Sequence, residues 1–79
     1  MRILDEISDT SLEKIILYLT DSEALELRDS LNDILKKPTN NHAHINNQNY
    51  SKEITVCIYD KNRLDSFNER SKKLIMNDE

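Results

Sequence analysis

Glycine is absent from the chain. That absence removes the Walker A loop, the dinucleotide-binding fingerprint and the glycine-dependent hairpin turns together. Phosphate-cradling chemistry of the common kinds is therefore not expected. There is one cysteine, so no internal disulfide can form, which fits a reducing, cytoplasmic setting. No apolar run approaches the ~20 residues that a membrane span needs. The first residues lack a basic region followed by an apolar block, so no signal peptide and no membrane partner are expected. Clustered positive charge is also missing. A formal net charge of −4 argues against a nucleic-acid binder, which needs grouped Lys and Arg to meet phosphates.

With 79 residues, one domain over 1–79 is expected, fraying at 77–79. A chain this short buries only about 60% of its unfolded surface, so its core is thin and dimerisation is an economical way to add buried area. The best-marked element is a helix over 20–37. Thr20 and Glu23 have capping-box spacing, each side chain taking a backbone N–H that the first turn leaves unpaired. Asp21 and Glu23 sit at the positive end of the helix dipole and Lys36 and Lys37 at the negative end. Pro38 cannot continue the run. At helical period Ala24, Leu27, Leu31, Ile34 and Leu35 share one stripe, with Arg28 on its edge. Leu25 falls off the stripe and should be half exposed or in contact with a partner.

Strands are expected on both sides of this helix. Met1–Ser8 fits an edge strand or a helical turn. The turn-forming cluster Asp9-Thr10-Ser11 behind it favours the strand. Glu13–Leu19, with Ile15 to Leu19 an unbroken apolar run, reads as a central strand covered on both faces. His42–Ile45 reads as a short strand, Asn46–Ser51 as a hairpin loop, and Glu53–Tyr59 as its returning strand. In the returning strand Ile54, Val56 and Ile58 share the face expected to meet the helix, and Thr55, Cys57 and Tyr59 share the other. Asparagine tolerates left-handed backbone angles and stands in for the missing glycine in the loop. Near the end, Ser66 and Glu69 have capping-box spacing. Phe67, Ser71, Leu74 and Ile75 then form one side of a short C-terminal helix.

Few residues suggest chemistry. His42 and His44, two apart on a strand, point to the same face and could reach one divalent metal ion. Zinc needs three or four ligands, and Cys57 could join only if the hairpin sets its face alongside, with carboxylates supplying the rest. The plainer alternative is two solvated histidines. Cys57 as a nucleophile would need a base such as His42 or His44 and an electropositive pocket, whereas a cysteine in an apolar strand is usually packed. The acids Glu26, Asp29 and Asp33 could meet a basic partner or form an ordinary solvated face. Arg63, Arg70, Lys72 and Lys73 are interleaved with acids and make a poor phosphate patch.

The fold class that results is α+β. It has two layers, with a three- or four-stranded sheet and helix 20–37 packed on one face, plus the short C-terminal helix. One helix leaves the second sheet face bare, and Ile16, Tyr18, Cys57 and Tyr59 are placed there; together with Leu25 the last three form the candidate interface. The leading expectation is a small, non-enzymatic protein-interaction module that dimerises or holds another protein. Size and charge suit an antitoxin, immunity or phage-accessory role. Two alternatives stay open: a metal-binding or cysteine/histidine-dependent small enzyme, and a nucleic-acid-binding regulator.

Overall fold

The computed structural model describes residues 1–37 and 41–79. The elements in chain order are β1 (Ile3–Asp5), β2 (Thr10–Leu12), α1 (Asp21–Lys36), β3 (His42–Asn46), β4 (Glu53–Cys57) and α2 (Glu69–Asn77). The class is α+β, but the strands form two separate two-stranded antiparallel sheets, β1–β2 and β3–β4. Among the described residues the expected single sheet of three or four strands is not formed. Glu13–Leu19, expected as its central strand, enters no ladder. The chain divides into two compact units, 1–17 with 60–79, and 18–59.

In the second unit α1 forms where its caps place it. Thr20 Oγ1 accepts from the Glu23 amide at 3.2 Å and Glu23 Oε1 accepts from the Thr20 amide at 2.9 Å. Lys37 is the C-cap, its N–H donating to the Asp33 carbonyl. The expectation that Pro38 stops the helix falls outside the described residues. Removing the cap should be measurable: Thr20→Ala is expected to cost about 1 kcal/mol, read as a lower urea midpoint of the helical circular-dichroism signal.

The face that α1 buries is not the one its pattern favours. Ile34 is buried and Glu23, Leu27 and Ser30 are half-buried, whereas Ala24, Leu31 and Leu35 are exposed. The helix has rolled onto the edge of its stripe. It packs chiefly on β3, where Ile45 is buried, rather than across the Ile54, Val56 and Ile58 face of the returning strand. Ile54 and Val56 are half-buried, and Ile58 lies exposed beyond the end of β4.

The first unit joins the β1–β2 hairpin to α2. Asp5 Oδ1 accepts from the amides of Ile7 and Ser8 at 3.0 and 3.3 Å, closing the turn. The Ser8 amide first, then its hydroxyl and the Ile7 amide, hold the Asp5 carboxyl's pKa below its ordinary value. The turn is Glu6–Asp9, one step earlier than the Asp9-Thr10-Ser11 cluster suggests, because Thr10 and Ser11 already pair with Asp5 and Leu4. Asn68, not Ser66, caps α2, its Oδ1 accepting from the Ser71 amide at 2.8 Å. Leu74 and Ile75 are buried. Arg2 Nε donates to the carbonyls of both at 3.0 and 3.2 Å, bonding carbonyls near the end of α2. Among the described residues Asp9, Tyr50 and Asp78 take the left-handed backbone angles that glycine usually supplies. None of the described asparagines does.

Candidate functional site

The β3–β4 hairpin brings together the residues singled out for chemistry. Its register sets His42 opposite Cys57, His44 opposite Thr55 and Asn46 opposite Glu53. The Ile58 amide donates to the Asn41 carbonyl, and the Asn47 amide to that of Lys52. Those bonds join directly opposed residues, so hydrogen-bonded and non-hydrogen-bonded pairs must alternate between them. Ala43–Val56 and Ile45–Ile54 are hydrogen-bonded pairs on the helix side. His42–Cys57 and His44–Thr55 are the closer-spaced pairs on the solvent side, where opposed Cβ atoms stand about 4.5–5.5 Å apart.

The loop that sets this register is built by asparagine side chains. Asn47 Oδ1 accepts from the Lys52 amide at 3.0 Å and Asn49 Oδ1 from the Ser51 amide at 3.1 Å. An open cleft of about 850 Å³ lies between this loop and the start of α1, lined by Thr20, Ser22, Glu23, Glu26 and Asn46–Tyr50. No residue of that lining is buried, so the cleft offers solvated polar groups and no desolvated charge.

On the solvent face the two imidazoles lie edge to face with centroids 5.3 Å apart. His44 Nδ1 is 2.8 Å from Thr55 Oγ1 and 3.0 Å from Glu53 Oε1. His42 Nδ1 is 3.3 Å from Asn41 Oδ1. Among the described residues no three His, Cys, Asp or Glu side chains converge closely enough to hold one ion. The pattern therefore supplies two imidazoles and leaves zinc short of the three protein ligands that even an open site uses.

Cys57 is exposed, yet partial burial of its thiol pushes its pKa above the ordinary value. Desolvation disfavours the charged form, so near neutrality the group is a protonated thiol, the reverse of an activated nucleophile. Alkylation by iodoacetamide is accordingly expected to be slow at pH 7. It should climb about tenfold per pH unit until the raised pKa is passed, measured against free cysteine. Fast alkylation that levels off below pH 8 would contradict this.

The candidate interface residues are placed differently from the expectation. Tyr18 is exposed, Leu25 is half exposed at 48%, Cys57 is exposed and Tyr59 is half-buried. The bare face of the β3–β4 sheet carries His42, His44, Asn46, Glu53, Thr55 and Cys57. It is polar, not the apolar surface expected of a sheet covered on one side. Apolar exposure lies elsewhere, in the run Ile15–Leu19 that links the two units in sequence. Ile16 is 78% and Tyr18 88% exposed, with Ile15, Leu17 and Leu19 also open. Residues 14–20 adopt no helix, turn or bend. Among the described residues, no backbone group of Ile15–Leu19 makes a hydrogen bond. The apolar run was visible in the sequence; its lack of a ladder partner was not.

Among the described residues, no helix is long and apolar enough to cross a membrane. No protein-family model, curated protein or solved structure matches the chain.

Proposed function

We propose that this chain is a non-enzymatic protein-interaction module whose Ile15–Leu19 run is the docking strand. The single observation that carries the reading is five consecutive large apolar side chains, all exposed, on backbone free of helix and turn. Such backbone presents unpaired N–H and C=O groups that the edge of a sheet satisfies one for one, while its side chains bury apolar area.

The test uses the chain itself. Wild-type protein is expected to bind a hydrophobic dye at this run, and the double variant Ile16→Asp/Tyr18→Asp to lose that binding with its circular dichroism unchanged. Equal dye binding by both proteins would refute the assignment.

One observation favours a second reading, a two-imidazole divalent-metal site completed by water: the His42 and His44 rings lie 5.3 Å apart on one solvent side. Its test is a calorimetric titration with nickel(II). Binding that vanishes in His42→Ala would support it, and no binding by the wild-type protein would remove it.

A further inference from the structure

A histidine ligates a metal only through a ring nitrogen that carries a lone pair, so its tautomer decides which end of the ring is available. At His44 the surroundings fix that choice. Nδ1 lies 2.8 Å from Thr55 Oγ1 and 3.0 Å from Glu53 Oε1. A hydroxyl can donate or accept, but an ionised carboxylate only accepts. A lone pair on Nδ1 would face that carboxylate oxygen at contact distance. The proton therefore sits on Nδ1 and is donated to Thr55, which leaves the lone pair on Nε2. His42 is set the same way by a longer bond: Asn41 Oδ1, an acceptor, is 3.3 Å from its Nδ1.

We infer that the two Nε2 atoms are the ligands of one transition-metal ion of the imidazole-preferring kind, and that Glu53 and Thr55 are positioning residues that hold His44 in the ligating tautomer. The inference rests on the two-imidazole reading and adds which atoms bind and what orients them. A metal–nitrogen bond of about 2.0–2.1 Å sets each ring centroid roughly 3.2 Å from a shared ion, so centroids 5.3 Å apart subtend about 110° there. That is close to the tetrahedral angle, with water filling the remaining positions. Metal-bound histidines almost always donate the far N–H to a carboxylate, a carbonyl or water, which fixes the tautomer and turns the ring. The hairpin register builds such a shell by setting Thr55 opposite His44 and Glu53 opposite Asn46. Glu53 stands at Nδ1, across the ring from an ion on Nε2. It therefore orients His44 and adds no third ligand, and among the described residues no three such side chains converge. Imidazole ligands select zinc, copper or nickel over calcium and magnesium, which take oxygen.

The deciding experiment reads the tautomer without metal and the affinity with it. In proton–nitrogen correlation spectra of the metal-free chain at about pH 8, above the ordinary histidine pKa, His44 is expected as the Nδ1–H form. Free histidine prefers the opposite form. Glu53→Ala, at an exposed site, should return His44 toward Nε2–H and leave the helical circular dichroism unchanged. It should also weaken nickel(II) binding by about tenfold or more, the usual effect of losing an outer-shell partner. An Nε2–H ring at His44 in the wild type overturns the inference, even where nickel binds. Glu53→Ala that binds nickel as tightly as wild type overturns it too, and the two-imidazole site then stands without its outer shell. Affinity that falls while the tautomer stays fixed also overturns it, since Glu53 then acts as a ligand or as bare charge. Wild-type protein with the Nδ1–H ring that takes no nickel ends the two-imidazole reading and the inference together.

Discussion

Ile45→Ala is expected to abolish the α1–β3–β4 unit at ambient temperature. Ile45 is 3% exposed and Ile34, on the facing helix, 4%; they are the two buried hydrophobic residues of that unit among the described residues. No large side chain among the described residues is completely buried. Truncating a buried isoleucine to alanine costs about 2–5 kcal/mol through lost transfer energy and the cavity left behind. Small domains with thin cores hold only about 3–5 kcal/mol in all, so one substitution spends most of it. Proton NMR would show this as collapse of the dispersed β3 and β4 amide signals together with those of α1. Ile58→Ala, at a 39% exposed site beyond β4, is the control and should leave the same signals in place. If Ile45→Ala kept native dispersion, the small buried core could not be what holds the hairpin on the helix.

The second large effect concerns Ile16 and Tyr18. Each side chain is worth roughly 1.5–3 kcal/mol when it passes from water into an apolar contact. Replacing both by aspartate removes that gain and sets two charges where the partner is apolar. At about 1.4 kcal/mol for each factor of ten, the double variant should bind a partner at least a hundredfold more weakly. Its unfolding midpoint should stay within error, because both residues are largely exposed in the isolated chain. Isothermal titration with the partner obtained by native co-purification reads the first quantity, and chemical denaturation the second. A variant that unfolds instead would show that the run belongs to a core of its own chain.

Local physics made much of this fold legible in the sequence. The Thr20 and Glu23 capping box needs only residues three apart, and it stands as expected. The hairpin at His42–Asn46 and Glu53–Cys57 follows from its alternation and its amide-rich loop, and with it the sharing of one face by His42, His44 and Cys57. Nonlocal choices were not legible. Glu13–Leu19 has the composition of a strand, but a strand needs a ladder, and composition cannot say whether the same chain supplies one. The stripe on α1 shows that the helix is amphipathic without fixing which edge docks. Here α1 packs chiefly on β3 with Ile34 buried and Leu27 half-buried, and Leu31 and Leu35 remain bare. The polar back of the hairpin was present in the alternation of His42, His44, Glu53 and Thr55. Placing Ile16 and Tyr18 on that same sheet depended on a pairing that does not form among the described residues. The cap of α2 moved from Ser66 to Asn68 because either side chain can serve, and the start of the apolar run at Leu74 and Ile75 does not choose between them.

Amide hydrogen exchange at Ile15–Leu19, in dilute protein without a partner, tests the central claim most directly. Exchange within seconds, at the rate of an unstructured peptide, is expected while the β3–β4 amides exchange slowly. Protection of Ile15–Leu19 equal to that of β3 and β4 in a single chain would contradict it, since the run would then already have the ladder partner it is held to lack.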